Sequence, residues 1–377
     1  MEQKNKKIFF SGLNELRAFA AISVIFHHIE LFKNKNGISS LFDTDIFSYF
    51  IEKIGKNGVY LFFVLSGFLI TYLLIKEKNK LGTILFKNFF LRRIFRIWPL
   101  YYFIVLISFI VIPFLAHTFD IFQLTPSYFN RIAEPANYSV KSFLLYLFFL
   151  PNVALSLGIS VVGASQSWSV GVEEQFYVLW PILVYLFRRN IIWVFGFIIL
   201  LLASFHFFQI KIISPIFKIL PFEFMAIGAI GGYLFYYYNE KIELFSKSKY
   251  LYLLLLLLIL SFLFIPFFSQ YFQNMVLSCL FLFLILMTIN NENPMVFRNK
   301  YFSFLGQISY GIYMYHPFVM FLLFPIATKY IYPSSFLAYN IFVYLLVISV
   351  TILISHISYK YLESTFIKIK DTKYKSL

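Results

Sequence analysis

Charge is what this chain has least of. Asp, Glu, Lys and Arg make up 13% of its 377 residues, against 60% hydrophobic and 22% aromatic. A soluble globular domain is about a quarter charged. Cysteine occurs once, at Cys279 in an apolar run, which excludes an intramolecular disulfide, a CxxC redox pair and a cysteine-built zinc site. There is no HExxH spacing, P-loop, GxSxG elbow or Rossmann fingerprint. Nucleotide hydrolysis and hydride transfer lack their usual residues, and no metal is expected. No internal repeat is visible, and no stretch is long and polar enough for a sizeable soluble domain.

What the chain has in quantity is apolar runs near the ~20 residues that cross ~30 Å of hydrocarbon. They predict an all-α, polytopic integral membrane protein with ten spans, at about 13–32, 58–75, 94–116, 169–187, 190–208, 216–238, 250–268, 271–289, 304–328 and 338–360. The net charge of +15 does not point to nucleic acid, because the basic residues lie in short loops between apolar runs. With the N-terminus cytoplasmic, about 23 Lys and Arg fall on the inner side and about 9 on the outer, so both termini are expected in the cytoplasm. The first run has no A-x-A-like cleavage site after it and reads as a retained helix. The expected division is a tail at 1–12, a membrane domain at 13–362 and a second tail at 363–377. Residues 143–153 are apolar but too short to cross, and the Gly/Ser-rich LGISVVGASQS follows. Region 143–168 is therefore expected to be re-entrant or interfacial on the outer side.

Ionisable residues inside spans are costly and by default functional. The first span, LNELRAFAAISVIFHHIELF, carries Arg17, His27 and His28. Eleven residues at about 100° each put Arg17 and His28 on one face about 16 Å apart, with His27 about 80° off that line. Spacing favours His28 over His27. A plainer reading also fits, in which Arg17 snorkels to headgroups and the histidines bond to neighbouring helices. In the second span Ser66 and Gly67 let a helix or a ligand approach the backbone. At the third, Arg93 and Arg96 share a face, as do Arg92 and Arg96; guanidinium forks at that spacing suit phosphate, and equally lipid headgroups. The fourth opens with Ser167, Ser169, Glu173 and Glu174, where one carboxylate must turn inward and find a partner. Glu223 precedes Gly228, Gly231 and Gly232, and His316 follows Tyr310 in an otherwise apolar span. In this topology the arginines lie at the inner edge, while His28, Glu173 and Glu223 fall in the outer half.

Six stretches, in this order, resemble the type 3 membrane acyltransferases, also called bacterial membrane O-acyltransferases: LRAFAAISVIFHH (Leu16 to His28), GVYLFFVLSGFLIT (Gly58 to Thr71), RRIFRIWPLYY (Arg92 to Tyr102), SWSVGVEEQFYVLWP (Ser167 to Pro181), PFEFMAIG (Pro221 to Gly228) and LGQISYGIYMYHP (Leu305 to Pro317). Glu15 stands where the family often has glycine, and Tyr60 where it often has an acidic residue. Some relatives carry a further esterase-like soluble domain at the C-terminus, which is not expected here. The resemblance implies a multi-pass protein of a bacterial cytoplasmic membrane that moves an acyl group, usually acetyl, from cytoplasmic acetyl-coenzyme A to a hydroxyl of an extracytoplasmic glycan or lipid-linked sugar. It also implies functional roles for Arg17, His28, Arg93, Arg96, Ser167, Ser169 and Glu173. On this basis His28 is expected as general base, oriented by Glu173, with Ser66 or Ser169 donating to the developing oxyanion. Arg92 and Gly67 join the donor-binding set, while His27, Glu174, Glu223, Tyr310 and His316 are acceptor-side or supporting residues. A transporter or flippase of a lipid-linked or acylated sugar is the competing reading. Membrane lipids are the other expected partner, and nothing in these patterns sets an oligomeric state.

Overall fold

A computed structural model describes residues 10, 12–187, 190–208, 219–289, 296–332 and 336–373. Apart from Phe10 and Gly12, the expected tail 1–12 lies outside the described residues, as do 216–218 of the sixth expected span and the last four residues of the second tail. Every regular element among the described residues is helical.

In chain order the helices are α1 (Leu13–Lys35), α2 (Asp45–Leu81) and α3 (Phe86–Thr118, through a π-helical turn at Ile107–Val111). The short α4 (Pro126–Ala133), α5 (Val140–Leu147) and α6 (Pro151–Ser156) come next. Then follow α7 (Trp168–Leu186), α8 (Ile191–Phe208), α9 (Phe222–Tyr237), α10 (Asn239–Ser246), α11 (Lys249–Phe264) and α12 (Gln270–Ile289). The chain continues through α13 (Lys300–Gln307), α14 (Ser309–Tyr330), α15 (Phe336–Ser358) and α16 (Ser364–Lys373).

The described part of most predicted apolar spans lies on a single helix, but the expected span 304–328 is divided at Ile308 between α13 and α14. Among the described residues five helices are long and apolar enough to cross a membrane: those at Phe47–Leu81, Phe86–Thr118, Gln270–Ile289, Ser309–Tyr330 and Leu337–Lys370. The pair α10 and α11, bent by 83°, makes a sixth if counted as one span. α1 and α7 have the length, 23 and 19 residues, but their hydropathy is lowered by charged and polar side chains. The run to Lys370 is continuous through a π-helical turn at Tyr359–Glu363, so the expected domain edge at 362 falls inside a helix.

The interior is built around α2. In its most apolar stretch 72% of residues are buried, against 22% in the run to Lys370. The outer helices turn large apolar side chains outward, such as Leu253 and Leu257 on α11 and Leu345 and Leu353 on α15. Apolar surface of that kind suits lipid tails, as in a multi-pass membrane protein. Cys279 is likewise exposed on α12.

Helix association in lipid depends on close van der Waals approach rather than on hydrophobic exclusion, and α2 uses glycine for it on two faces. A Cβ at Gly67 would lie 2.0 Å from the Met225 carbonyl oxygen on α9, and one at Gly228 of α9 would lie 2.0 Å from that of Val64. On the other face, a Cβ at Gly58 would meet the Ala20 carbonyl of α1 at 2.9 Å, and Gly55 leaves room for the His27 ring.

The segment after α3 folds back over the bundle as α4, α5 and α6. Phe149, between α5 and α6, has φ 57°, a conformation that costs a non-glycine residue roughly 1–2 kcal/mol. The corner is held by Tyr101 and Tyr102 of α3, whose hydroxyls donate to the carbonyls of Tyr146 (2.7 Å) and Leu147 (3.0 Å). The Tyr101 ring also stacks on Phe149 at 4.1 Å. The paired tyrosines of the third motif thus fix the expected re-entrant region to the bundle.

The glycine contacts make a test of packing. Gly67→Ala is expected to destabilise the purified protein by about 1–3 kcal/mol through backbone overlap. Gly196→Ala on α8 meets nothing within 4 Å and should be neutral or slightly stabilising, since alanine is the better helix former. Thermal unfolding in detergent compares the two, and equal melting temperatures would refute the close-contact account.

Candidate active site

α1 runs unbroken from Leu13 to Lys35 and borders two cavities that share no lining residue. The first, of about 110 Å³, gathers Arg17 from α1, Ser66 from α2, Arg93 and Arg96 from α3, Ser169 and Glu173 from α7, and Tyr310 from α14. The second, of about 240 Å³, is lined by His28, Lys35, Arg131, Gln166 and Trp168 among others. Eleven residues of one helix carry the boundary from the arginine cavity to the histidine cavity.

In the arginine cavity one carboxylate faces three guanidiniums. Glu173 accepts hydrogen bonds from Ser66 Oγ at 3.2 Å and from Tyr177 Oη at 2.9 Å. Arg17 Nη1 donates to Asn14 Oδ1 at 3.0 Å. The Arg93 guanidinium lies 5.6 Å from the ring centres of both Phe89 and Tyr177, and its Nε is buried with no hydrogen-bond partner. A buried N–H left this way costs about 1–3 kcal/mol. Tyr310 donates to the Ile97 carbonyl at 2.9 Å.

A layer of hydroxyls separates the cavities. Tyr313 Oη donates to the Gln166 carbonyl at 2.8 Å, and Ser169 Oγ lies 2.8 Å from the same Oη. A carbonyl only accepts, so the phenol proton is spent on it and Ser169 is the donor to Tyr313. Ser66 and Ser169, expected as oxyanion donors, both have their protons engaged in this arrangement.

The histidine pair can be assigned in the same way. His316 Nδ1 lies 3.3 Å from the Ile312 carbonyl, and its Nε2 lies 2.8 Å from His28 Nδ1, with the rings stacked 18° from parallel. The carbonyl fixes the proton on His316 Nδ1. Neutral His316 then accepts at Nε2, His28 donates from Nδ1, and His28 Nε2 keeps its lone pair. Glu173, expected to orient His28, lies in the other cavity, and His316 fills that position. The reason is the start of α7 at Trp168, which puts Glu173 more than one turn along that helix on the far side of the hydroxyl layer.

Several expected residues face elsewhere. His27 Nδ1 donates to the Ile51 carbonyl at 2.8 Å, against Gly55, so its ring is a packing element between α1 and α2. Arg92 pairs with Glu77 at 2.9 Å, while Glu77 also accepts from the Leu85 amide at 2.8 Å, a tie across the α2–α3 connection. Gly67, one residue and about 100° beyond Ser66, faces α9 when Ser66 faces the cavity. Ser167 donates to the Ala164 carbonyl at 2.7 Å, and Glu174 accepts from Trp98 Nε1 at 3.2 Å. Glu223 is buried at the start of α9 and borders neither cavity.

Other residues carry no role in the sequence reading. Arg131 and Lys35 border the histidine cavity. Glu30 ties the end of α1 to its surroundings, pairing with Lys33 at 2.7 Å and accepting from the Leu41 amide at 2.5 Å and from Tyr344 Oη. Glu30 had a signal, a carboxylate two residues past His28 in an apolar helix. Arg131 had none beyond lying in a short polar connection. Among the described residues no cluster of His, Cys, Asp or Glu is arranged to hold a metal ion.

Comparison with known proteins covers most of the chain. A protein of Staphylococcus aureus (strain COL) named as a candidate O-acetyltransferase is 25% identical over 390 residues, covering 97% of this chain. The chain spans only 58% of that relative's length. The peptidoglycan O-acetyltransferase OatA of Listeria monocytogenes (serovar 1/2a) is 29% identical over 182 residues, 48% of this chain and 25% of its own. No solved structure is significantly similar. A family profile described as an acyltransferase domain matches residues 10–357, and the chain therefore belongs to the acyltransferase-3 family.

Proposed function

We propose that this chain is a membrane O-acetyltransferase that takes an acetyl group from cytoplasmic acetyl-coenzyme A and transfers it to a hydroxyl of an extracytoplasmic glycan. The observation that carries the reading is the division of α1 between a cationic cavity at Arg17 and a second cavity at His28. In this reading the protein crosses the cytoplasmic membrane ten times with both termini inside. The domain of residues 13–362 lies between the tails 1–12 and 363–377, the arginine cavity faces the cytoplasm, and the α4–α6 region covers the outer side.

The arginine cavity suits the donor's phosphates on its own chemistry. Three guanidiniums outnumber one carboxylate whose oxygens already accept from Ser66 and Tyr177. The orphaned Nε of Arg93 lacks an acceptor that a phosphate oxygen supplies. Arg17, Arg93 and Arg96 would hold the donor, which supplies a thioester carbonyl activated for attack. His28 Nε2 takes the proton of the acceptor hydroxyl as the new C–O bond forms and the C–S bond breaks, then returns it to the departing thiolate. His316 acts through His28, holding it in the tautomer that keeps Nε2 free. The choice of a glycan as acceptor follows the Listeria relative, which is named for peptidoglycan, at the level of substrate class only.

Membranes containing the protein, incubated with radiolabelled acetyl-coenzyme A and fractionated envelope glycans, should label one glycan fraction. His28→Ala should lower the rate by 10²–10⁴-fold, the usual worth of a general base. Retention of more than about a tenth of the rate with an unchanged helical circular dichroism spectrum would sink the assignment.

Arg93→Ala and Arg96→Ala should each weaken acetyl-coenzyme A binding by at least about tenfold, as loss of a charge-assisted contact worth ~1.5–3 kcal/mol implies. Arg92→Ala should lower the melting temperature and leave donor affinity within about twofold. Equal effects of all three on donor affinity would show that the cavity does not select among them.

His316→Ala should reduce kcat by about 10–100-fold, the scale seen when a histidine loses its orienting partner in metal sites, with the KM for acetyl-coenzyme A unchanged. A change confined to KM would place His316 in donor binding instead.

A further inference from the structure

The histidine cavity contains two cations that the proposed chemistry leaves unused. Lys35 is seven residues beyond His28 on α1, two turns along the same face and about 10 Å away along the axis. Arg131 comes from α4 and lines the same cavity. Its donors are satisfied only by neutral oxygens: Nε by the Ser160 carbonyl at 3.2 Å, and Nη2 by Ser160 Oγ at 2.6 Å and Ser165 Oγ at 3.1 Å. Among the described residues no carboxylate pairs with either cation, and none of the residues lining the cavity is acidic.

This is an unusual way to hold a guanidinium. Burial lowers the Arg131 pKa from the ordinary arginine value, and the groups that counter the effect are the phenols of Tyr128, Tyr138 and Tyr146 rather than a carboxylate. Partial burial, then the neighbouring Arg131, lowers that of Lys35, which lies at the solvent-exposed edge of the cavity. A charge taken from water without a counter-ion is costly, and two like charges beside one cavity add to the cost. The serines point Arg131 without neutralising it. The arginine cavity differs here, because it contains Glu173.

We propose that the histidine cavity binds an acceptor bearing an anionic group, a carboxylate or a phosphate, beside the hydroxyl that His28 deprotonates. Arg131 and Lys35 pair with the anion, and the indole of Trp168, which lines the same cavity, offers an apolar face to the sugar ring. The acceptor is then an acidic sugar or a phosphate-bearing glycan unit, not a neutral glycan. The proposal rests on the reading of His28 as the acceptor-side base and narrows that reading to a substrate class.

The test uses the full chain in lipid nanodiscs and matched acceptors: a glucuronate-containing oligosaccharide and its carboxyl-reduced form, and a phosphorylated oligosaccharide and its dephosphorylated form. Binding is read by calorimetry without donor, and transfer with radiolabelled acetyl-coenzyme A. At least one anionic member is expected to bind and be acetylated at least tenfold better than its neutral partner, and which pair discriminates identifies carboxylate or phosphate. Arg131→Gln and Lys35→Gln should each remove at least tenfold of that preference, with Arg131→Lys recovering part of it and the acetyl-coenzyme A dissociation constant unchanged. Lys35 is exposed, so its variant gives an answer even if Arg131→Gln misfolds. Equal binding within both pairs, binding of none of the four, or a preference that survives both substitutions would overturn the proposal. Charge-selective binding without acetyl transfer would instead uphold the anion site and count against the catalytic reading alone.

Discussion

The backbone contact between α2 and α9 fixes how α2 is rotated, and much of the site follows from that rotation. With Gly67 against the Met225 carbonyl and Gly228 against that of Val64, α2 has no freedom to turn without driving a Cα hydrogen or a neighbouring side chain into backbone. Ser66 is thereby aimed at the arginine cavity, where it meets Glu173 at 3.2 Å. The opposite face of α2 presents Gly58 and Gly55 to α1, and the His27 ring, bonded to the Ile51 carbonyl at 2.8 Å, locks α1 in turn. His28, the next residue, is left to face α14 and His316. One pair of close helix contacts thus sets the direction of a serine in one cavity and of an imidazole in the other.

The same rigidity explains why charge can be kept inside so apolar a chain. Ionisable groups at membrane depth persist when they pair or line a polar space. Glu30 pairs with Lys33, Arg92 with Glu77, and these groups join connections to helices. Arg17, Arg93, Arg96 and Arg131 do not form such pairs among the described residues, and all four border cavities. The paired charges join elements of the fold, and these four arginines lie where a ligand can compensate them.

Much of this was legible in the chain itself. Apolar runs marked helices that the structure contains, and ionisable residues inside them drew attention to Arg17, His28, Arg93, Arg96 and Glu173, all of which border a cavity. Spacing failed where a helical face alone does not say which neighbour it meets. Arg92 shares a face with Arg96 by count, yet lies nearer the helix start and turns to Glu77 at the end of α2. Ser66 and Gly67 are adjacent, and only the position of α9 tells which one faces the cavity. The bond between His28 and His316 joins residues 288 apart in sequence, so no local pattern announces it. Arg131 lies in a connection of ordinary composition and gains its meaning only when α4 folds over the end of α1.

The hydroxyl layer between the cavities bears on how the two halves of the proposed reaction meet. Ser169, Tyr313 and the Gln166 carbonyl form one hydrogen-bonded chain, and Phe62 packs edge-on against Tyr313 at 6.0 Å. Two such bonds have a net worth of about 1–3 kcal/mol together, which lies in the range where a minor open form is populated at about 0.1–10%. In the proposed reaction a partition of that strength separates the donor cavity from the acceptor cavity and still yields to a ligand that binds an open form modestly better. Ser169 is central to that balance, because re-pointing its hydroxyl breaks the chain and, in the proposed reaction, would free a donor for the thioester carbonyl. A serine whose proton is engaged at rest can therefore still serve as the oxyanion donor, provided that the partition opens first.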